Sequence, residues 1–305
     1  MEEFKKKIAK GLDLHKKGKI NESLELYHQA LMINDENPQL FFLIGTAYLQ
    51  KNNFIDSITY FERTINLDRN NLGAYNNLGG ALQSLKKYEK AIDIYKKLLL
   101  IKPNFSDGYN NIGTCLVHLK DYNNASKHFE KAISLNPKDY VAYNNIGLIE
   151  KEFSNFDKAL ENFKKSIEIN QNYYLAINNL GNTYLEMKEF ELAKKYFKKL
   201  YEINPNYEFI LGKLIYCNMI LCEWNELNYL LDRMKSALDE NKKVIAPFIL
   251  LALIDSPELQ LKSSKIFLKD KLLDSKINYK SKKEKGEKIK IGYFSPDFRN
   301  HPVLH

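Results

Sequence analysis

Four stretches of this sequence share one pattern: residues 75–80 read YNNLGG, 109–114 read YNNIGT, 143–148 read YNNIGL and 177–182 read INNLGN. Each stretch begins 34 residues after the one before it. The chain has only 13 glycines, and six of them keep this spacing: Gly11, Gly45, Gly79, Gly113, Gly147 and Gly181. A fixed period of this length predicts an array of repeated supersecondary units, each packed on its neighbours.

Each unit repeats more than its glycine. A small residue follows twelve positions later, namely Ser23, Ser57, Ala91, Ala125, Ala159 or Ala193, and an aromatic residue follows sixteen positions later, namely Tyr27, Phe61, Tyr95, Phe129, Phe163 or Phe197. Apolar residues before the glycine fall on one helix face. The spacing predicts two helices per unit. Glycine inside a helix costs about 1 kcal/mol relative to alanine, so we expect a close helix approach here, with the small residue facing the glycine.

The 34-residue period and the order of small and large residues resemble the tetratricopeptide repeat over residues 4–207. This resemblance implies an all-α fold, a right-handed superhelical solenoid of six helix pairs within residues 1–207. The first unit departs most from the pattern, because Lys7 and Lys10 replace apolar residues. A polar outer face is what a terminal repeat needs.

Asparagine recurs immediately before the aliphatic residue of four units, as Asn77, Asn111, Asn145 and Asn179. Stacking should align these amides along the first helices, which line the inner groove of such a solenoid. An amide offers one acceptor and two donors, so the row could bind the backbone of an extended peptide. The alternative is codon bias in a chain rich in Asn, Lys, Ile and Tyr, since Asn76, Asn110, Asn144 and Asn178 recur too. Units one and two have Ala9 and Leu43 at this position.

Charge and composition exclude several function classes. The net charge is +8, but residues 261–290 hold eleven lysines against four acidic residues. Because the charge is concentrated in one stretch, we expect no nucleic-acid partner. No apolar run is long enough for a membrane helix, and the N-terminus has no apolar signal core. Three cysteines, an odd number, fit a reducing compartment. We therefore expect a cytoplasmic protein with no membrane partner.

The repeat pattern ends after residue 207, where Ile215 takes the place of the glycine. Residues 208–280 read as a degenerate repeat and a helical transition segment, and residues 281–288 read as a lysine-rich linker. Cys217 and Cys222 have no further Cys or His partners for zinc, so we expect two buried thiols and no metal site. Residues 288–294 (KIKIGYF) have a strand pattern. A strand cannot bury itself alone, so residues 289–305 predict the start of a truncated α/β domain.

The stretches CEWNEL, APFILLALIDSPELQ and KIKIGYFSPDFRNHPVLH resemble the tetratricopeptide-containing O-linked N-acetylglucosamine transferases and the SPINDLY-type proteins. The motif at Gly292–Pro302 opens the first Rossmann-like half of that family's catalytic domain. The resemblance implies an inverting transfer from UDP-N-acetylglucosamine to Ser or Thr of acceptor proteins, with no metal or other cofactor. It also assigns His301 to the active site of an intact enzyme. The donor site lies beyond His305, so the chain alone is expected to be inactive.

Three functions remain open from the sequence. The chain is the acceptor-binding region of a protein O-glycosyltransferase, it is a non-catalytic scaffold for extended peptides, or it belongs to an O-fucosyltransferase of the SPINDLY type. The family also implies a homodimer formed through the repeats. The sequence does not identify the donor sugar or the acceptor proteins.

Overall fold

The computed structural model describes residues 2–269, and this part of the chain is entirely helical apart from its turns. The linker, the predicted strand and His301 lie outside the described residues. The first twelve helices are α1 (Glu2–Lys16), α2 (Ile20–Leu31), α3 (Pro38–Gln50), α4 (Phe54–Leu67), α5 (Leu72–Ser84), α6 (Tyr88–Ile101), α7 (Ser106–His118), α8 (Tyr122–Leu135), α9 (Tyr140–Glu152), α10 (Phe156–Ile169), α11 (Tyr174–Glu186) and α12 (Phe190–Ile203). The last four are α13 (Ile210–Ile220), α14 (Leu227–Asp239), α15 (Pro247–Leu251) and α16 (Pro257–Leu268).

The helices form a solenoid of consecutive pairs, as the 34-residue period predicts. The two helices of each pair pack against each other, and from α2 to α12 each second helix packs on the first helix of the next pair. First helices of successive repeats also touch, as in α3–α5, α7–α9 and α9–α11, whereas contacts among the second helices from α2 to α12 are weaker. First helices therefore line the inner side of the curve.

The repeated glycine packs against the aromatic ring of the same repeat, a contact that the sequence pattern did not predict. The expected contact with the small residue stays a prediction. A Cβ added to Gly113 would lie 2.6 Å from a ring carbon of Phe129, and one added to Gly147 would lie 2.6 Å from a ring carbon of Phe163. The same aromatic ring meets the glycine in all six repeats. The rings of these aromatics are the largest buried side chains in the array. Glycine is needed because the ring occupies the space that a side chain would fill.

The turn inside each repeat has its own 34-residue period. Residues in the left-handed region close the first helix of successive pairs: Gly18, Asn52, Lys86, Lys120, Ser154, Lys188 and Cys222. At the third such turn the amide of Lys87 donates to the carbonyl of Leu82 over 2.9 Å, the bond that commonly ends a helix at a left-handed residue. The backbone repeat therefore continues to Cys222, beyond the last repeated glycine.

Hydrophobic clusters join neighbouring repeats into a continuous core. One cluster combines Phe163 of the fifth repeat with Leu180 and Phe197 of the sixth and Leu214 of α13. Such nearest-neighbour burial is how a solenoid is stabilised. At the N-terminus, Lys10 is exposed and Lys7 donates to Gln29 at 2.8 Å, which fits the expected polar face of a first repeat.

The seventh pair departs from the pattern. One period after Phe190 would be Trp224, but α14 begins at Leu227. Ile215, at the position of the glycine, is fully buried in a separate cluster with Leu230 and Met234 of α14. Because Ile215 has a branched side chain, α14 cannot pack on α13 as closely as α12 packs on α11.

Cys217 is buried as expected, and burial raises the pKa of its thiol to about 11. The expectation of a buried thiol is wrong for Cys222, which is exposed. Its place in the left-handed turn puts it at the end of α13, away from the core. Between residues 2 and 269 no cluster of His, Cys, Asp or Glu side chains could hold a metal ion.

Candidate functional site

The predicted site residues Asn77, Asn111, Asn145 and Asn179 lie at equivalent positions of α5, α7, α9 and α11. All four side chains are half-buried on the inner helices. The stacking of repeats thus aligns the row of amides along the first helices. His301, the other predicted site residue, lies outside the described residues.

A series of hydrogen bonds connects three of these amides to the preceding repeat. The Nδ2 atom of Asn111 donates to Oδ1 of Asn76 at 3.1 Å, that of Asn145 donates to Asn110 at 3.4 Å, and that of Asn179 donates to Asn144 at 2.9 Å. Each bond spans 35 residues, one repeat plus one position. In the fourth, fifth and sixth repeats the two neighbouring asparagines therefore have different partners, one in the next repeat and one in the repeat before.

Lys213 of α13 makes the last bond of this series. It stands one period after Asn179, and its Nζ donates to Oδ1 of Asn178 at 2.6 Å. The same ammonium lies 5.2 Å from the centre of the Phe197 ring. Burial, followed by the nearby charge of Lys151, lowers the pKa of Lys213 to about 8. A half-buried amine in this position terminates the row with a donor.

Asn110 has a second partner on the next repeat. Its Nδ2 donates to both carboxylate oxygens of Asp139, at 3.2 and 3.0 Å. Asp139 also begins α9, because its Oδ1 accepts from the amides of Val141 and Ala142 at 3.1 and 3.0 Å. Burial raises the pKa of this carboxyl group, and the bonds from the amides and Asn110 oppose the rise. Asp139 thus joins the helix start to the row of amides.

The inter-repeat bonds leave part of each amide free for a ligand. Asn111 and Asn179 use one N–H of the two, so the second N–H and Oδ1 remain within the contacts described. Asn145 also accepts at Oδ1 from Asn144 at 3.4 Å. Phe42 stands 35 residues before Asn77, at the position where the other three amides of the row meet an asparagine of the preceding repeat. Because a phenylalanine ring carries no amide, Asn77 makes no such bond within residues 2–269. It is the amide of the row with the most unused capacity.

Sequence reasoning did not find these bonds. It treated Asn76, Asn110, Asn144 and Asn178 as evidence for codon bias, whereas the structure gives each of them a partner in the next repeat. The sequence signal for these bonds was that two asparagines are adjacent in each unit. The second asparagine of one unit then stands 35 residues, one repeat plus one position, after the first asparagine of the unit before it. Lys213 was also missed, although it keeps the 34-residue phase.

Comparison with known proteins gives the family. A model described as tetratricopeptide repeat matches residues 38–71, 72–105, 140–173 and 174–207, and a second with that description matches residues 106–139. A third, described as TPR repeat, matches residues 11–52. Together these models span residues 11–207, more than half of the 305-residue chain. The chain belongs to the tetratricopeptide repeat family.

Solved structures agree with this fold. A tetratricopeptide repeat protein from Parabacteroides merdae is similar with a TM-score of 0.64 and 15% identity, over 88% of this chain and all of that one. PilF of Pseudomonas aeruginosa is similar with a TM-score of 0.57 and 20% identity, over 66% of this chain and 92% of its own. MamA is similar with a TM-score of 0.50 and 25% identity, over 53% of this chain and 94% of its own. A comparison with curated proteins gave no match.

The tetratricopeptide repeats account for the whole matched region, and the matching models describe the repeat alone. Among residues 2–269, no helix is both long and apolar enough to cross a bilayer.

Proposed function

We propose that this tetratricopeptide repeat protein is a non-catalytic scaffold that binds extended polypeptides along its inner helices. The observation that supports this proposal most is the row of asparagine amides on α5, α7, α9 and α11, at one equivalent position of four consecutive repeats. Amides spaced by a regular stack suit a ligand with its own regular donors and acceptors. A polypeptide backbone carries one donor and one acceptor per residue.

The inter-repeat bonds favour binding because they fix the amides before a ligand arrives. The Asn111 and Asn179 side chains are each held by a bond to the preceding repeat. A side chain that is already ordered loses less entropy on binding than a free one. The remaining N–H and carbonyl groups of the row are thus positioned for a backbone in the groove.

The ligand for the experiment is a peptide that is selected for binding from an array of random synthetic sequences. Its affinity for the chain is determined by fluorescence anisotropy, with helix content followed by circular dichroism. Replacing Asn111 and Asn145 together by alanine should weaken binding at least tenfold, because two amide hydrogen bonds are worth about 2 kcal/mol. The matched control is Asn123→Ala, an exposed asparagine of the outer helix α8. Equal affinity of the double variant and the control contradicts the proposal.

A second proposal places the same groove in a larger enzyme. In that case the repeats bind acceptor proteins for a protein O-glycosyltransferase, with UDP-N-acetylglucosamine or a fucose donor as the second substrate. Its support is the sequence resemblance at Gly292–Pro302 and His301. The test is sugar transfer to the selected peptide by a protein that contains a complete catalytic domain after residue 305. Absence of transfer with either donor contradicts this proposal and leaves the scaffold proposal intact.

A further inference from the structure

A cavity of about 340 Å³ opens where the sixth and seventh helix pairs meet. Tyr201 of α12, Leu214 and Asn218 of α13, and Tyr229 and Leu230 of α14 are among the residues that line it. The side chains of Lys194 and Lys198 stand at its edge and pair with Glu223 and Glu226, respectively. The cavity lies beside the second helices, so it is distinct from the groove along the first helices.

The preceding repeat fills the corresponding space with an aromatic ring. One period before Asn218 stands Tyr184, whose ring stacks on Tyr196 with centroids 5.7 Å apart and planes 9° apart. The ammonium of Lys164 lies 5.9 Å from the centre of the Tyr184 ring. Lys198 stands one period after Lys164, so the cationic side chain is retained next to the cavity while the ring is lost.

The second repeat shows the same arrangement. Tyr48 stacks on Tyr60 with centroids 5.6 Å apart and planes 14° apart, and His28 contacts both rings. Tyr48 and Tyr184 are four periods apart, as are Tyr60 and Tyr196. The space between two repeats at this position is thus suited to a tyrosine ring, and this protein fills it in that way twice.

Asn218 supplies a polar group that no other part of the described chain satisfies. Its side chain is 1% exposed, and its Oδ1 has no hydrogen-bond partner. A buried acceptor without a partner is costly. Leucine or tyrosine occurs at the same position in most other repeats, for example Leu82 and Tyr184, so packing alone does not require an amide here.

We propose that this cavity binds the tyrosine side chain of a partner polypeptide. The ring takes the space that Tyr184 fills one repeat earlier, the side chain of Asn218 rotates so that its buried Oδ1 accepts from the ring's hydroxyl, and the ammonium of Lys198 approaches the face of the ring. A cation over an aromatic face is attracted by the ring, as Lys164 shows in the preceding repeat. The site is independent of the groove proposed above, so either proposal can fail alone.

The experiment titrates the protein with N-acetyltyrosinamide and follows by NMR the side-chain amide signals of Asn218 and of Asn225, which also lines the cavity and remains in the variants below. Saturable binding is expected, and N-acetylphenylalaninamide should bind several-fold more weakly because it has no hydroxyl donor. Free p-cresol serves as the comparison for a ring without a backbone. Because p-cresol is the tyrosine side chain without its backbone, it should shift the same signals, and its failure to do so contradicts a side-chain ligand.

Two variants test the role of the cavity itself. Asn218→Tyr supplies the ring from within the chain, so it should raise the melting temperature and abolish binding. Asn218→Leu removes only the acceptor, so the preference for the tyrosine over the phenylalanine amide should disappear. Asn123→Ala, at an exposed asparagine of α8, is the control and should leave this binding unchanged. The proposal is overturned if the wild-type protein shows no saturable binding, or if both variants bind as it does.

Discussion

The contact between a glycine and an aromatic ring is the smallest unit that determines how each repeat packs. Gly79 is packed on the ring of Tyr95, whose hydroxyl donates to Gln83 at 2.8 Å. Gln83 in turn donates to Cys115 of the next repeat, at a distance of 3.0 Å between Nε2 and Sγ. A change at the glycine therefore reaches the interface between repeats through the displaced ring.

Two adjacent glycines of α5 provide a matched test of this contact. Gly79→Ala should lower the free energy of unfolding by about 1–3 kcal/mol, because the added methyl group overlaps the Tyr95 ring. Gly80 has open space where its Cβ would lie, so Gly80→Ala should raise it by about 0.5–1 kcal/mol through helix propensity. Urea denaturation of both variants measures the difference. Equal effects at the two sites are the contrary result.

Asp139 should make stability depend on pH. Because its pKa is higher in the folded chain than the ordinary 3.8, the folded state favours the protonated carboxyl group. The stability that this preference contributes is complete at low pH and is lost as the pH rises from about 3.8 towards the raised pKa. Wild-type stability relative to Asp139→Asn should therefore decrease over that range in denaturation curves. A pH-independent difference between the two proteins contradicts the raised pKa.

At the scale of helices, the bonds between asparagines connect first helices that otherwise meet through few groups. Asn76 and Asn111 should therefore be energetically coupled. Alanine at each position, and at both, gives a double-mutant cycle with an expected coupling of about 1 kcal/mol, the net value of one hydrogen bond. The Asn76/Asn145 pair, whose members do not bond to each other, is the control. A coupling near zero for the bonded pair would falsify this role.

Lys213 should give the seventh pair a dependence on alkaline pH. Its pKa falls from 10.5 to about 8 on folding, so the unfolded chain binds more protons between these values. Stability therefore rises with pH across that window. Lys213→Asn places an amide at the position and removes the titration, so the wild-type protein should gain stability relative to the variant from about pH 8 to 10.5. Parallel curves for the two proteins across this window are the contrary result.

The helix pairs could be predicted from the sequence because glycine, small and aromatic residues keep one period, and each reports on local packing. The contact between the glycine and the aromatic ring was not predicted, since a period gives positions along the chain but not which side chain reaches furthest across the interface. The bonds between Asn110 and Asn145, and between Asn178 and Lys213, depend on the stacking of whole repeats. The cavity at Asn218 depends on the later start of α14, which no local pattern indicates.

For the whole molecule, the asparagines have two roles, ligand binding and repeat stacking, and the adjacent residues Asn77 and Asn76 allow the two to be tested separately. Asn77 has the phase of Asn111 but makes no bond to the preceding repeat within the described residues, whereas Asn76 accepts the bond from Asn111. A change at Asn77 should therefore act on ligand binding, and a change at Asn76 should act on repeat stacking. This distinction allows the groove to be tested without disturbing the solenoid.

The most direct measurement is the affinity of Asn77→Ala for the selected peptide, made together with its denaturation curve. The account predicts about fivefold weaker binding, from the loss of about 1 kcal/mol in hydrogen bonding, with unchanged stability. Asn76→Ala should show the reverse, a loss of stability that exceeds its loss of affinity. Unchanged affinity in Asn77→Ala would contradict the account, because the amides would then serve only to join the repeats.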